Sequence, residues 1–173
     1  MEKYIPDMYQ KSIYTVDYQK LIDNGVKCIL FDLDNTLVPF HIKHANEEIK
    51  KLFNSLREMG LKVIIFSNSP KKRVHIFRDE LAVDCLANAG KPSKKSFEEI
   101  MNRYKYNITE IAIIGDQMVT DIVGGNNVGI TTILVTPVIP KDPIWTKFGR
   151  ARERRIMQKL RDHDLFSKGR YYD

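Results

Sequence analysis

Apolar residues fall along this chain in two alternating rhythms. Mostly apolar runs at 26–33, 61–66, 111–114 and 130–135 read as strands buried on both faces, and a short strand is expected within 81–87. Between them, apolar positions recur every three or four residues, the spacing of one helical face. The spacing predicts a helix over 15–24, with Thr15 or Asp17 as N-cap and Gly25 as the left-handed stop. A second covers 46–59, with Ile49, Leu52, Phe53 and Leu56 on one face and Gly60 at its end. Others cover 71–80, continuing through Val74, Phe77 and Leu81; 93–104, capped by Ser93 with Phe97, Ile100 and Met101 inward; and 120–127.

Strand and helix alternate throughout, so the expected fold is α/β: a Rossmann-like, three-layer α/β/α sandwich around a mainly parallel sheet with right-handed crossovers. The 173 residues fit one domain over 1–173. Its core is expected at about 26–136, and a basic C-terminal helix at about 144–165, after a connection punctuated by Pro137, Pro140 and Pro143.

Composition narrows this picture. At 43% hydrophobic and 29% charged the chain reads as soluble and globular, and no run approaches the roughly 18 apolar residues of a membrane span. Residues 1–12 carry scattered charges and no apolar core of signal-peptide type. Cys28 and Cys85 each sit in an apolar stretch and read as small core residues, which suits a reducing cytosol. The net charge of +6 is uneven, because residues 141–173 hold ten Lys and Arg against five Asp and Glu. Such a tail favours an anionic partner, or is a solvated helix face.

Candidate chemistry lies at the strand ends. Asp32 and Asp34 follow the first run, Ser67 and Asn68 the second, Lys91 the third and Asp116 the fourth, with Asp121 in the same last loop. Ligands of open α/β sheets bind outside the carboxyl ends of the strands, so these groups are expected on one rim. Singly, each has a plainer explanation: acids at strand exits make caps and turns, Ser67 a turn, Lys91 a surface charge, Asp121 a helix-face acid. Jointly they point to one crevice. Carboxylates crowded together repel one another unless a cation compensates, and oxygen donors without His or Cys favour Mg²⁺ over zinc. Phosphate chemistry is the expected use.

Asp32-Leu33-Asp34-Asn35-Thr36, the strand-ending Ser67, Lys91, and Gly115-Asp116 with Asp121 resemble, in order, the four motifs of the haloacid dehalogenase (HAD) superfamily of phosphohydrolases. The resemblance implies that Asp32 is the nucleophile, forming an aspartyl phosphate, and that Asp34 is the acid and base. It implies Mg²⁺ held by Asp32, Asp116 and the main-chain carbonyl of Asp34, with Asp121 a further metal group, directly or through water. Ser67 and Lys91 would bind phosphoryl oxygens, with Thr36 and Asn68 in support.

Between Asp34 and Ser67 there is room for one helix, and between Lys91 and Asp116 for another, so no large cap domain is expected and the site should be open to a bulky substrate. Phe31-Asp32-Leu33-Asp34-Asn35-Thr36-Leu37-Val38, Gly115-Asp116-Gln117, Thr120-Asp121, Gly124-Gly125-Asn126 and Thr146-Lys147-Phe148 resemble the YqeG family, of HAD subfamily IIIA, over nearly the whole chain. Gly149 departs from that pattern, where Asn is expected. That family is similar to mitochondrial phosphatidylglycerophosphate phosphatases, and the likeness implies such a lipid phosphate as substrate. A phosphoprotein or a small metabolite is the alternative.

The tail has two readings. Trp145, Phe148, Ile156, Met157 and Leu160 alternate with Arg150, Arg152, Arg154, Arg155, Lys159 and Arg161, as in a helix lying on an anionic membrane, or one whose apolar residues dock on the protein itself. A rival of a different class, a basic-tailed RNA- or ribosome-binding module, lacks a nucleic-acid fold signature. The expected partners are therefore a phosphorylated substrate, an anionic membrane surface and a second copy of the chain, at a cytoplasmic or peripheral inner-membrane location.

Overall fold

A computed structural model describes residues 1–140 and 147–173, with the side chains of 147–150 left out. Its strands are β1 (Met8–Gln10), β2 (Cys28–Phe31), β3 (Lys62–Phe66), β4 (Asp84–Leu86), β5 (Ile111–Gly115) and β6 (Thr131–Val135). The helices are α1 (Tyr18–Asp23), α2 (Glu47–Glu58), α3 (Lys71–Leu81), α4 (Lys94–Tyr104), α5 (Val123–Val128) and α6 (Lys147–Asp162). All strand pairs are parallel, in the order β1-β6-β5-β2-β3-β4. This is a Rossmann-like α/β fold.

The chain leaves β2 toward β3 and β4, then returns to β5 on the other side of β2. The strand order therefore reverses between β2 and β5, and the crevice at such a switch point is where ligands of these sheets sit. Alternate residues of each strand feed opposite faces. Ile29, Phe31, Val63, Ile65 and Ile114 pack with Phe53, Leu56, Val74 and Phe77 of α2 and α3. Leu30, Ile64, Phe66 and Ile113 pack with Phe97 and Ile100 of α4.

Local signals explain most boundaries. The Asp17 carboxylate accepts from the Lys20 N–H at 3.0 Å, which settles the cap of α1, and the Asn46 side chain accepts from Ile49 at 2.9 Å to start α2. β4 is shorter than the run at 81–87 because α3 reaches Leu81 and Ala82 then turns left-handed, at φ 52°. Two elements differ from the sequence expectation. β1 is a sixth, edge strand, and the helix expected over 120–127 opens instead with a π-helical turn, Met118–Ile122.

The interval from Asn35 to Phe66 holds one loop, α2 and β3, with no inserted domain. No helix among the described residues is long and apolar enough to cross a membrane. In α6, Met157 and Leu160 are buried against Tyr9, Met118, Ile122, Leu134 and Phe166, with Ile156 packed beside them. These apolar tail residues are turned to the protein, while Arg152, Arg154, Arg155, Lys159 and Arg161 are exposed. Trp145 lies outside the described residues, as do the side chains of Phe148 and Arg150.

Candidate active site

Asp32 immediately follows β2, and its N–H still donates to Ile114 O at 3.0 Å, so the ladder between the two central strands fixes it. The chain then turns tightly. Asn35 takes φ 60°, a left-handed conformation that Asn tolerates better than most residues, and the N–H groups of Thr36 and Leu37 reach back to Leu33 O. Thr36 is thereby swung inward, where its hydroxyl donates to Asp116 Oδ1 at 3.0 Å, with Asp32 Oδ2 at 3.4 Å. It ties two carboxylates together.

Asp116 follows β5, and Asp121 lies in the π-helical turn. Such turns recur at functional sites because they re-aim a side chain within a helix. Here the turn drives Asp121, fully buried, under the start of its own loop, where Oδ2 accepts from the Gln117 N–H at 3.1 Å. Gly115 is what makes room: a Cβ there would lie 2.1 Å from Asp121 Oδ2 and 2.3 Å from its Cγ. Gly115→Ala is therefore expected to displace Asp121 and to destabilise the fold by about 1–3 kcal/mol, as overpacking does. Urea unfolding and phosphatase assays of the purified variant check this, and unchanged activity would refute it.

Lys91 reaches the same place from the loop after β4. Asn68 holds its main chain, accepting from the Lys91 N–H at 2.8 Å and donating to Lys91 O at 3.1 Å. The ammonium donates to Asp121 Oδ1 at 2.6 Å, Phe66 O at 2.8 Å and Asp32 Oδ1 at 2.9 Å, using all three hydrogens. Beside it, the buried Ser67 Oγ accepts from the Ser69 N–H at 3.0 Å, which leaves the hydroxyl hydrogen to be donated.

Oxygens of Asp32, Asp116 and Asp121 come within 4.8 Å of one another, so three buried carboxylates face one ammonium. The electrostatics follow. Burial pushes the Asp116 carboxyl well above its ordinary value, reinforced by the charges of Asp32 and Asp121 and opposed by the Thr36 hydrogen bond. Burial and Asp32 raise Asp121 to about 7 against the pull of Lys91. For Lys91 itself burial opposes the charge, but Asp121 and Asp32 outweigh it and hold the ammonium above its ordinary value. A hard divalent cation fits this all-oxygen donor set and its excess negative charge.

The sequence-predicted residues thus separate into two groups. Asp32, Thr36, Lys91, Asp116 and Asp121 form one hydrogen-bonded cluster, with Ser67 beside it. Thr36 faces carboxylates, and Asn68 spends its amide on the backbone of Lys91. The Asp34 carboxylate stands apart from the metal-type cluster: Arg73 Nε donates to its Oδ1 at 2.9 Å, Arg73 Nη2 lies 2.8 Å from the same oxygen, and the Ser69 hydroxyl donates to Oδ2. Arg73 and Ser69 were not read from the sequence. Arg73 sits in the first turn of a helix that opens at the rim, a position that could have marked it.

A HAD-hydrolase-like family model matches residues 88–139. The chain is 37% identical over 158 residues to phosphatase YqeG of Bacillus subtilis, covering 91% of this chain and 92% of that one. It is 26% identical to the chloroplastic and mitochondrial phosphatidylglycerophosphate phosphatase 1 of Arabidopsis thaliana, over 93% of this chain but 46% of that longer protein. Among solved structures, the cobalt-bound deoxy-D-mannose-octulosonate 8-phosphate phosphatase of Haemophilus influenzae shares the fold, with a TM-score of 0.54 at 17% identity, covering 69% of this chain and 82% of that one. With the Bacillus match running through nearly the full length of both chains and the HAD motifs gathered at one switch point, this chain belongs to the YqeG family of HAD-like phosphatases and is a phosphoric monoester hydrolase.

Proposed function

We propose that the chain is a Mg²⁺-dependent phosphomonoesterase that works through an aspartyl phosphate on Asp32 and acts on a bulky phosphorylated lipid, phosphatidylglycerophosphate. The observation that carries the chemistry is the convergence of Asp32, Asp116 and Asp121 on one another at the switch point, with Lys91 paired to Asp32 and Asp121. The absence of an inserted domain between Asn35 and Phe66 and the likeness to the plant lipid phosphatase support the substrate.

Asp32, Asp116 and Asp121, with the carbonyl of Asp34, would hold Mg²⁺, which when bound screens the nucleophile from the phosphate's charge. A carboxylate oxygen of Asp32 attacks phosphorus, and the bond from phosphorus to the leaving oxygen breaks. That oxygen takes its electron pair and a proton from Asp34. Water then attacks the aspartyl phosphate, giving its proton to Asp34, and inorganic phosphate leaves with Asp32 regenerated. Lys91 stays paired with the nucleophile throughout, and Ser67 donates to a phosphoryl oxygen. The exposed arginines of α6 would face anionic lipid, each worth about 1 kcal/mol near the surface, and would hold the enzyme peripherally at the cytoplasmic face of the membrane.

The test is phosphate release with Mg²⁺ from phosphatidylglycerophosphate in mixed micelles, p-nitrophenyl phosphate, a sugar phosphate, a nucleotide and a phosphopeptide. The lipid should exceed the others in kcat/KM by about tenfold or more, or about 1.4 kcal/mol of transition-state binding. Hydrolysis of small esters without the lipid overturns the substrate. No release from any ester overturns the mechanism.

A further inference from the structure

We infer that Arg73 is the positioning residue that aims Asp34 at the leaving group, an inference that rests on the acid role proposed for Asp34. The two aspartates stand two residues apart, yet each has its own cation: Asp32 turns inward to Lys91, and Asp34 turns to Arg73. Lys91 is held deep among carboxylates, whereas the Asp34 and Arg73 side chains are 28% and 18% exposed, at the open side of the crevice. A leaving group departing into solvent would pass this more exposed side.

Arg73 is anchored at more than one end. While Nε and Nη2 reach Asp34 Oδ1, Nη1 donates to Ile42 O at 2.6 Å and Nη2 to Pro39 O at 3.4 Å. The guanidinium carbon also lies 5.3 Å from the ring centroid of Phe77, a fully buried residue of the same helix. The planar fork of an arginine is suited to such simultaneous contacts, which a lysine's single ammonium cannot reproduce. Ser69 completes the hold by donating to Oδ2. Both oxygens of Asp34 are thus directed, and the loop that borders the opening is pinned by the same side chain. Misplacing a catalytic group by about an ångström can cost about a hundredfold in rate.

The need for an aimed acid depends on the leaving group. A p-nitrophenolate departs without a proton, whereas an alkoxide such as that of glycerol does not. Arg73→Met should therefore lower kcat/KM, which reports the steps up to departure of the leaving group and not the later attack of water, by about a hundredfold for glycerol 3-phosphate and by about threefold or less for p-nitrophenyl phosphate. Arg73→Lys should recover part of the alkyl-ester rate, because one donor can still reach Oδ1. Asp34→Asn is the reference and should show the same dependence on leaving group, more steeply. Ser69→Ala, which leaves Arg73 in place, should show a weaker version and provides a second reading if Arg73→Met does not fold.

The outcomes separate the two ideas. If Asp34→Asn discriminates between the esters but neither Arg73 variant nor Ser69→Ala does, the positioning role is overturned. Equal losses of kcat/KM on both esters also overturn it, since they indicate general damage to the site. If Asp34→Asn itself lowers kcat/KM equally for both esters, or the unaltered protein hydrolyses neither ester, the underlying acid assignment fails instead.

Discussion

Asp32→Asn is expected to lower Mg²⁺-dependent phosphate release by about four to six orders of magnitude, the scale of loss when a nucleophile is removed. The amide keeps the shape of the carboxylate and, with its oxygen in the Oδ1 position, still accepts from Lys91, while its NH2 takes the place of the oxygen near the Thr36 hydroxyl, which keeps its shorter bond to Asp116. It removes one of the charges that raise Asp116 and Asp121, which offsets the weaker contact with Lys91. The variant should accordingly fold and melt within a few degrees of the parent while losing the oxygen proposed to attack phosphorus. Acid quenching during turnover should trap phosphate on the parent protein and none on the variant. A variant retaining about a tenth of the activity would mean that another group attacks.

How much of this site the sequence disclosed depends on what each residue is held by. Asp32, Ser67 and Asp116 were legible because a run of apolar residues ends just before each of them, and parallel strands deliver their carboxyl ends to one edge. Lys91 was legible only as the basic residue after a third, weaker run. What its ammonium does, bridging Asp32 and Asp121, depends on Asn68 fixing its main chain across the loop, and no local pattern reveals that contact. Asp121 was placed on the correct loop but on a regular helix. The turn that buries it is π-helical, a local departure from the helical period on which the reading relied.

The remaining differences share a cause: they depend on contacts distant in sequence. β1 has three residues, too few to display a period, and becomes a strand by pairing with β6 and by the bridge from Tyr9 to Tyr172. The buried side of α6 was ambiguous because membrane and protein reward the same apolar face. Its Met157 and Leu160 pack on Met118 and Ile122, the turn that carries Asp121, so the basic tail also buttresses the catalytic loop. Arg73 escaped because a lone arginine in a helix with Lys71 and Lys72 looks like part of a solvated face.

Lys91→Met is expected to destabilise the metal-free protein by an amount that grows with pH, reaching about 3–5 kcal/mol near pH 8, the cost of breaking a buried ion pair from one side. The folded-state values of Asp116 and Asp121 are raised above the ordinary carboxylate value. A raised folded value means that the group's contribution is fully present below the unfolded value and is lost as pH rises through the folded one, which for Asp121 is about 7. With Lys91 present that loss ends near there. Without the ammonium only the Gln117 N–H opposes burial and repulsion at Asp121, its folded value climbs further, and the loss continues as pH rises. Near pH 5 the deficit should be small, because protonated carboxyls no longer need the cation. Mg²⁺ should close most of the gap near pH 8 by matching the negative charge, yet leave turnover depressed, since the ammonium that pairs with Asp32 is gone. Urea unfolding near pH 5 and pH 8, with EDTA and then with Mg²⁺, measures all of this. A deficit of equal size at both pH values would show that Lys91 contributes packing rather than charge.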